Sequence, residues 1–124
     1  MSFDWSDYLT LANELAPRPI DRTTAEAKLR SAISRAYYAN HCKARNYLRD
    51  HEDLATPREY VHRFVIEQFS SSPDRNRRDI GKDLNRLKID RIKADYDDEF
   101  SGLAAKTETV LILAGQVSEK LERL

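Results

Sequence analysis

The last part of the chain carries the pattern that most constrains the fold, a stripe of mostly apolar side chains spaced three and four residues apart. Its members are Leu103, Thr107, Val110, Leu111, Ala114, Val117 and Leu121. This spacing puts them on one face of an α-helix, so the segment is expected to be a helix that packs on a hydrophobic core. Ser101 stands where it can cap the start of that helix.

Similar periodicity predicts two helices in the first half of the chain. The first is expected over about residues 4–15, before Pro17 and Pro19, which make a stiff connector. The second is expected to begin at Thr23, which forms a capping box with Glu26, and to continue to about Arg49.

Two further helices are expected before the last one. Thr56 and Glu59 form a second capping box, with Pro57 at the first helical position, and predict a helix through residue 69. Its expected buried residues are Tyr60, Val61, Phe64, Val65 and Phe69. The next helix is expected over about residues 73–94. Five helices with short connections predict an all-α fold, an up-and-down bundle that forms a single domain over residues 1–124.

Composition limits the classes of protein to consider. With 40% hydrophobic residues and three glycines, the chain is expected to fold and not to stay disordered. Its one cysteine, Cys42, excludes an internal disulfide and is expected to be a half-buried helix residue. No Cys and His cluster has zinc spacing, so neither a metal nor another cofactor is expected. No export signal or membrane-spanning segment is recognisable, so we expect a cytoplasmic protein without a membrane partner.

The net charge of zero is the sum of five blocks of alternating sign. Residues 27–49 carry six bases and no acid, and residues 75–93 carry eight bases and three acids. The other three blocks are acidic. The two basic blocks coincide with the second and fourth predicted helices, which would form a positive ridge if they lay side by side.

The basic side chains of these two helices recur at helical spacing and form two candidate RNA-binding faces. Arginines neutralise phosphates, and an aromatic ring between them can stack on an unpaired base. The candidate RNA-binding residues are Arg35, Tyr38, Arg45, Arg49, Arg75, Arg78, Lys82 and Lys93. The alternative is that both are solvated faces whose cations pair with acidic helices of the same bundle.

Arg91 falls within the core-facing stripe of the fourth helix, whose other members are Ile80, Leu84, Leu87 and Ala94. Arginine is seldom buried without a partner, so two interpretations are open. Arg91 either holds a phosphate or carboxylate in a cleft, or forms a buried ion pair with Asp95, Asp97 or another acid.

The chain contains Ser34-Arg35-Ala36-Tyr37-Tyr38-Ala39 in its second helix and Arg91-x-x-Ala94-Asp95-Tyr96-Asp97 at the end of its fourth. These motifs resemble those of the HEPN superfamily of small helical-bundle proteins. The resemblance implies a four- or five-helix bundle that forms a homodimer and belongs to a toxin-antitoxin, phage-defence or CRISPR-associated module. Many members are metal-independent endoribonucleases, often encoded beside a nucleotidyltransferase that acts as the antitoxin.

Catalytic members of that superfamily have a histidine shortly after the motif arginine. Here Asp95 and Tyr96 stand in its place, so the chain resembles the branch that lacks the usual histidine. The resemblance makes Arg91, Asp95 and Tyr96 the candidate catalytic residues. Tyr96 has two other interpretations, a site modified by the partner nucleotidyltransferase or an aromatic residue that packs at the helix end.

Cleavage of RNA without a metal needs a base for the 2′-OH proton, and imidazole titrates nearest to neutral pH. The three histidines of the chain are weak candidates from sequence. His41 and His51 each follow an arginine by six positions, which puts the two side chains of each pair on different faces of the second helix. His62 is expected to be a surface or capping residue.

The sequence is therefore compatible with two functions. The first is a HEPN protein that binds or cleaves RNA as part of a toxin-antitoxin or phage-defence module, with Arg91 at the centre of its site. The alternative is a non-catalytic dimeric protein-interaction module, a partner of a nucleotidyltransferase or another effector, in which Arg91 has a structural ion pair.

Overall fold

Five α-helices and no strand are found in residues 2–16 and 25–124, the part of the chain that the computed structural model describes. The helices are α1 (Ser6–Leu15), α2 (Ala25–Glu52), α3 (Val61–Ser70), α4 (Arg75–Tyr96) and α5 (Leu103–Glu122). They form an all-α bundle, as predicted. The predicted connector at Pro17 and Pro19 and the capping box of Thr23 lie outside the described residues.

The long helix α2 lies at the centre of the bundle and packs against α1, α4 and α5, whereas α3 packs mainly on α4. The buried side chains come from all five helices, and the largest of the fully buried ones include Ile33, Tyr37, Leu48, Val65, Phe69, Leu84, Leu87, Val110 and Val117. A polar contact also joins two helices inside the bundle, because the Asn40 side-chain amide donates to the Ala114 carbonyl at 2.8 Å. None of the described helices is both long and apolar enough to cross a membrane.

The predicted stripe of α5 is confirmed, since each of its members is buried or half-buried. The predicted cap is wrong. Gly102 and not Ser101 precedes the helix, and it adopts a left-handed backbone conformation with φ of 67°. Glycine reaches this conformation without a steric penalty, so the turn into α5 is made by backbone freedom and not by a side-chain cap.

The predicted start of α3 at the capping box of Thr56 is also wrong. The helix begins at Val61, after Tyr60 in a left-handed conformation with φ of 56°. Tyr60 is 77% exposed and so not buried as predicted, whereas Val65 and Phe69 are fully buried. The half-buried Leu54 packs against the core, so the residues before α3 serve as a connection and do not form a first helical turn.

The two helices α3 and α4 approach closely where Gly81 passes the end of α3. A Cβ atom at Gly81 would meet the Ser70 hydroxyl and would lie 2.6 Å from the Ser70 backbone nitrogen. Only glycine fits without a shift of the backbone. Asp74 caps α4 by accepting a hydrogen bond from the Arg77 backbone N–H at 3.0 Å. The close approach at Gly81 places α3 alongside α4, which bears Arg91.

Candidate functional site

Arg91 lies in a half-buried position at the C-terminal part of α4, and 13% of its side chain is exposed. Its Nε donates to Asp95 Oδ2 at 2.8 Å, one helical turn later. Its guanidinium carbon lies 4.9 Å from the ring centre of Tyr38 and 5.8 Å from that of Tyr96. Of the two acids named as partners from sequence, Asp95 forms the pair. The guanidinium therefore has both a carboxylate partner and aromatic neighbours.

Asp95 connects α4 to α2 as well as holding Arg91. The Ser34 hydroxyl of α2 donates to Asp95 Oδ2 at 3.3 Å. Tyr96, the third predicted catalytic residue, is 72% exposed and stands at the edge of this group. The three predicted catalytic residues thus lie together, with Asp95 orienting Arg91 and Tyr96 open to solvent.

Sequence reasoning missed Arg30, which fixes the end of α4. Its guanidinium donates to the carbonyl oxygens of Asp97 at 2.6 Å, Ala94 at 3.0 Å and Asp98 at 3.3 Å. These carbonyls lie at or just beyond the end of the helix, where backbone acceptors lack helical partners and a cation interacts favourably with the helix dipole. Arg30 therefore positions the turn that follows Arg91 and Asp95.

Two histidines from helices other than α4 share two tyrosine neighbours, Tyr37 and Tyr38, with Arg91. The rings of His41 in α2 and His62 in α3 stack with their centres 4.1 Å apart and their planes 19° apart. The buried Tyr37 hydroxyl forms a hydrogen bond of 2.5 Å with His62 Nδ1. The ring centres of Tyr38 and His62 are 5.8 Å apart. Tyr38 therefore contacts the guanidinium of Arg91 and the imidazole of His62.

Both imidazoles favour the neutral form. Burial, together with the charges of His62, Arg45, Arg91 and Lys88, lowers the pKa of His41 to about 3. Burial also lowers the pKa of His62, with Arg91 and Lys88 acting in the same direction. Burial raises the pKa values of Tyr37 and Tyr38. Near neutral pH the site therefore combines a permanent cation with uncharged imidazole and phenol groups.

His62 is half-buried and does not cap α3, whose N-cap is Tyr60, and a signal for the position of His62 was present in the sequence. His62 precedes Val65 by three residues and Phe69 by seven, so it shares the core-facing side of α3. His41 is 4% exposed, and its buried Nδ1 has no hydrogen-bond partner. Neither position reveals from sequence alone that the two rings stack on each other, because α2 and α3 meet only in the folded chain.

The predicted RNA-binding residues of α2 do not share one environment, because they have different neighbours. Arg35 lies 5.0 Å from the ring centre of Tyr8, and Arg45 lies 5.6 Å from that of Trp5, so aromatic side chains near the start of the chain cover both arginines. Tyr38 turns instead toward Arg91. Arg49, the fourth predicted residue of α2, is exposed and paired with Asp50. Cys42 on the same helix was expected to be half-buried but is buried, and burial raises the pKa of its thiol.

The predicted basic residues of α4 have different surroundings. Arg75 and Lys82 are exposed. Arg78 donates to the carbonyl oxygens of Pro73 at 2.6 Å and Ser72 at 3.3 Å, in the loop before the helix. Lys93 Nζ lies 5.0 Å from the ring centre of Phe100. The two basic helices pack together, and their predicted cations have separate neighbours.

A basic groove of about 550 Å³ lies between α3 and α4 instead. Its cationic residues are Arg63, Lys82, Arg86 and Lys88, and Glu67, which pairs with Arg63 at 2.9 Å, also lines it. Lys82 is one of the predicted RNA-binding residues, and the other three were missed because two separate helices contribute them. Lys88 also acts electrostatically on both histidines, and Arg91 follows it by about one turn of α4. The groove therefore leads to the group around Arg91.

The groups at this site are a guanidinium, a carboxylate, two imidazoles and two buried or half-buried phenols. In the described ranges, no group of three or more His, Cys, Asp or Glu side chains is arranged to hold a metal ion. Comparison with known proteins gives no assignment, because no family model, curated protein or solved structure matches the chain significantly.

Proposed function

We propose that this chain is a HEPN-like RNA-binding protein that cleaves RNA without a metal, with Arg91 at the centre of the site. The observation that carries the proposal is the half-buried guanidinium of Arg91, which lies against Tyr38 one turn beyond the basic groove of α3 and α4. The groove supplies cations for consecutive phosphates of a single strand. Arg91 supplies a fixed positive charge beyond the groove, where the RNA backbone would reach the neutral imidazoles.

The ion pair with Asp95 is compatible with this function. Arg91 uses Nε for Asp95, and its two terminal nitrogens, Nη1 and Nη2, donate no hydrogen bond to any residue that the structure describes. These nitrogens form the outer part of the planar fork that binds phosphate oxygens. Asp95 therefore orients the side chain while the donors needed for a phosphate stay free. A charge that builds up on the phosphate during cleavage would be stabilised by this preoriented guanidinium.

The homodimer, the cytoplasmic location and the toxin-antitoxin or phage-defence context belong to the same proposal and rest on the motif resemblance. One feature of α4 supports the homodimer. Ile89, Ile92 and Tyr96 are exposed and follow one another at spacings of three and four. Such a stripe on one helix face is suited to burial against a second copy. A nucleotidyltransferase remains the proposed protein partner.

The test is incubation of the purified protein with total tRNA and with structured single-stranded RNA in the presence of a chelator. Wild type is expected to release fragments that end in a 2′,3′-cyclic phosphate, and Arg91→Ala is expected to abolish this release. Arg123→Ala is the matched control, because Arg123 also pairs with an acid one helical turn away, Glu119, but on the exposed face of α5. Cleavage that persists in Arg91→Ala would contradict the proposal.

Binding is measured on the same RNAs by fluorescence anisotropy at several salt concentrations. Affinity is expected to fall steeply with salt, and Lys88→Glu in the groove is expected to weaken it. Glu substitution of Arg123, which does not line the groove and is not a candidate RNA-binding residue, is the control and is expected to have a smaller effect. Equal effects of the two substitutions would remove the groove from the proposal.

The second candidate function is the non-catalytic dimeric interaction module. The Arg91–Asp95 pair with its link to Ser34 favours it, since this network joins two helices whether or not a ligand binds. Under this function Arg91→Ala lowers the melting temperature, and wild type neither cleaves RNA nor binds it in a salt-dependent way.

A further inference from the structure

The structure contains an imidazole that shares tyrosine neighbours with Arg91 and that the motif resemblance does not assign, and it lies on a different helix from the motif. We infer that His62 is the general base of this site, held in place by Tyr37 and by stacking on His41. The inference rests on the proposed cleavage of RNA and names the group that takes the proton from the 2′-OH of the substrate.

The ring of His62 is fixed on two sides. Tyr37 engages Nδ1 through its hydroxyl at 2.5 Å, and His41 covers one face of the ring at a centre distance of 4.1 Å. The Nε2 atom lies on the side of the ring away from Nδ1. It has no hydrogen-bond partner among the described residues, and it is not among the buried polar atoms that lack one. Nε2 is therefore the ring nitrogen that a substrate can reach.

Tyr37 is suited to orient the imidazole without competing with it. The Tyr37 side chain is fully buried, and burial raises the pKa of its phenol, so the group stays protonated at working pH. When Nδ1 carries the ring proton, it donates to the phenol oxygen and leaves the lone pair of Nε2 free. The base role requires this tautomer, because in the other one the Tyr37 hydroxyl donates to Nδ1 and Nε2 carries the ring proton. Tyr37 is a positioning residue, because it acts through His62.

His41 supports the site but does not fit the role of the base. Its ring is almost fully buried, and its Nδ1 is enclosed without a partner. The residues that act electrostatically on it are Arg45 of α2, His62 of α3, and Lys88 and Arg91 of α4. All three cations oppose a positive charge on His41. His41 thus remains neutral and provides a flat surface on which the ring of His62 rests.

Arg91 and His62 share a neighbour, the ring of Tyr38. Both side chains lie against the ring of Tyr38, with the guanidinium carbon at 4.9 Å and the centre of the imidazole at 5.8 Å from the ring centre. A phosphate on the free nitrogens of Arg91 would bring the adjacent ribose toward His62. Burial, together with the positive charges of Arg91 and Lys88, lowers the pKa of His62, so the imidazole is unprotonated and ready to accept a proton.

The step balances without a metal or a co-reactant. Nε2 of His62 takes the 2′-OH proton while the 2′-oxygen bonds to the adjacent phosphorus. The bond from phosphorus to the 5′-oxygen breaks, and that oxygen leaves with a proton from solvent. His62 then returns its proton to solvent. The products are a 2′,3′-cyclic phosphate and a 5′-hydroxyl, and Arg91 faces the negative charge that develops on the phosphate.

The test compares His62→Gln with His51→Gln on an RNA that wild type cleaves. His51 is the matched control, because it is exposed and stacks on Tyr47, away from Arg91. His62→Gln is expected to lower the cleavage rate by about 100-fold or more while RNA affinity stays within a few-fold of wild type. His51→Gln is expected to cleave at the wild-type rate. The wild-type rate should rise with pH to a plateau as the imidazole loses its proton, and this rise should be absent in His62→Gln.

Two further variants separate catalysis from folding. His62→Ala leaves space for free imidazole, and added imidazole is expected to restore part of the rate, which a purely structural role does not predict. Tyr37→Phe is expected to keep RNA affinity and to shift the rising part of the pH profile. Wild-type cleavage by His62→Gln, or a folded His62→Ala that imidazole does not rescue, would overturn the inference and leave the proposed ribonuclease function standing. An absence of cleavage by wild type itself would refute the proposed cleavage, and the base role with it.

Discussion

Acidification provides a direct test of the buried histidine pair. As the pH falls, His41 is protonated in the unfolded chain at a higher pH than in the folded protein. The pKa of His41 falls from its ordinary value of 6.5 to about 3 on folding. Between these values the unfolded state binds more protons, so stability is fully present above about pH 6.5 and is lost as the pH falls. From about pH 7 to about pH 5 this one group removes about 2 kcal/mol from the free energy of unfolding.

The assay is urea denaturation followed by circular dichroism at several pH values and constant ionic strength. His41→Phe is the comparison, because it keeps a flat ring against His62 and the replaced Nδ1 has no hydrogen-bond partner to lose. All other titrating groups are common to both proteins, so the difference between their pH dependences isolates His41. The His51→Gln variant is expected to follow wild type.

Wild type is expected to lose about 2 kcal/mol more than His41→Phe on going from neutral pH to about pH 5. His62 contributes in the same direction, since its pKa is also lowered on folding, and it titrates in both proteins. Parallel pH dependences in wild type and His41→Phe would refute the reasoning. They would show that His41 accepts a proton as readily in the folded state as in the unfolded one.

Two predictions concern the contacts that hold α4. Gly81→Ala is expected to lower the melting temperature by an amount that corresponds to roughly 1–3 kcal/mol, because its Cβ would meet the backbone of Ser70, whereas Gly115→Ala has open space and should raise it. Equal stabilities of these two variants, measured by thermal denaturation, would contradict the close approach of α3 and α4. Arg30→Met is expected to cost about 1–3 kcal/mol and to speed hydrogen exchange at the end of α4, since three carbonyls there lose their donor. Unchanged exchange in that segment would show that Arg30 does not hold the helix end.

The order of the helices could be predicted because it depends on local periodicity. The stripe from Leu103 to Leu121 specifies one helix face without reference to any neighbour, and the structure buries that face. The start of α3 could not be predicted in the same way. Thr56 and Glu59 satisfy a local capping pattern, but the chain there still has to bring Leu54 onto the core. The packing of Leu54 on the core therefore outweighed the local preference for a helix start at Thr56.

The basic faces illustrate a second limit of reading one helix at a time. Helical spacing correctly groups Arg35 and Arg45 on α2, but it does not say which neighbour will lie over them. Tyr8 and Trp5 occupy that place. In the same way, Arg63 of α3 and Lys88 of α4 both line the groove between these helices. The spacing of residues within one helix therefore does not predict the groove.

The conflict between charge and burial at Arg91 was visible in the sequence, and the structure shows why its two interpretations need not exclude each other. Asp95 engages only Nε, so the ion pair fixes the direction of the guanidinium and leaves the terminal nitrogens without a described partner. Asp95 therefore stands near the position where the resemblance predicts a histidine, and it orients Arg91. The imidazoles come instead from α2 and α3, and they reach the same place because Tyr38 contacts both Arg91 and His62. Under the proposed function, the base is His62, which lies on α3 and therefore outside the motif of α4.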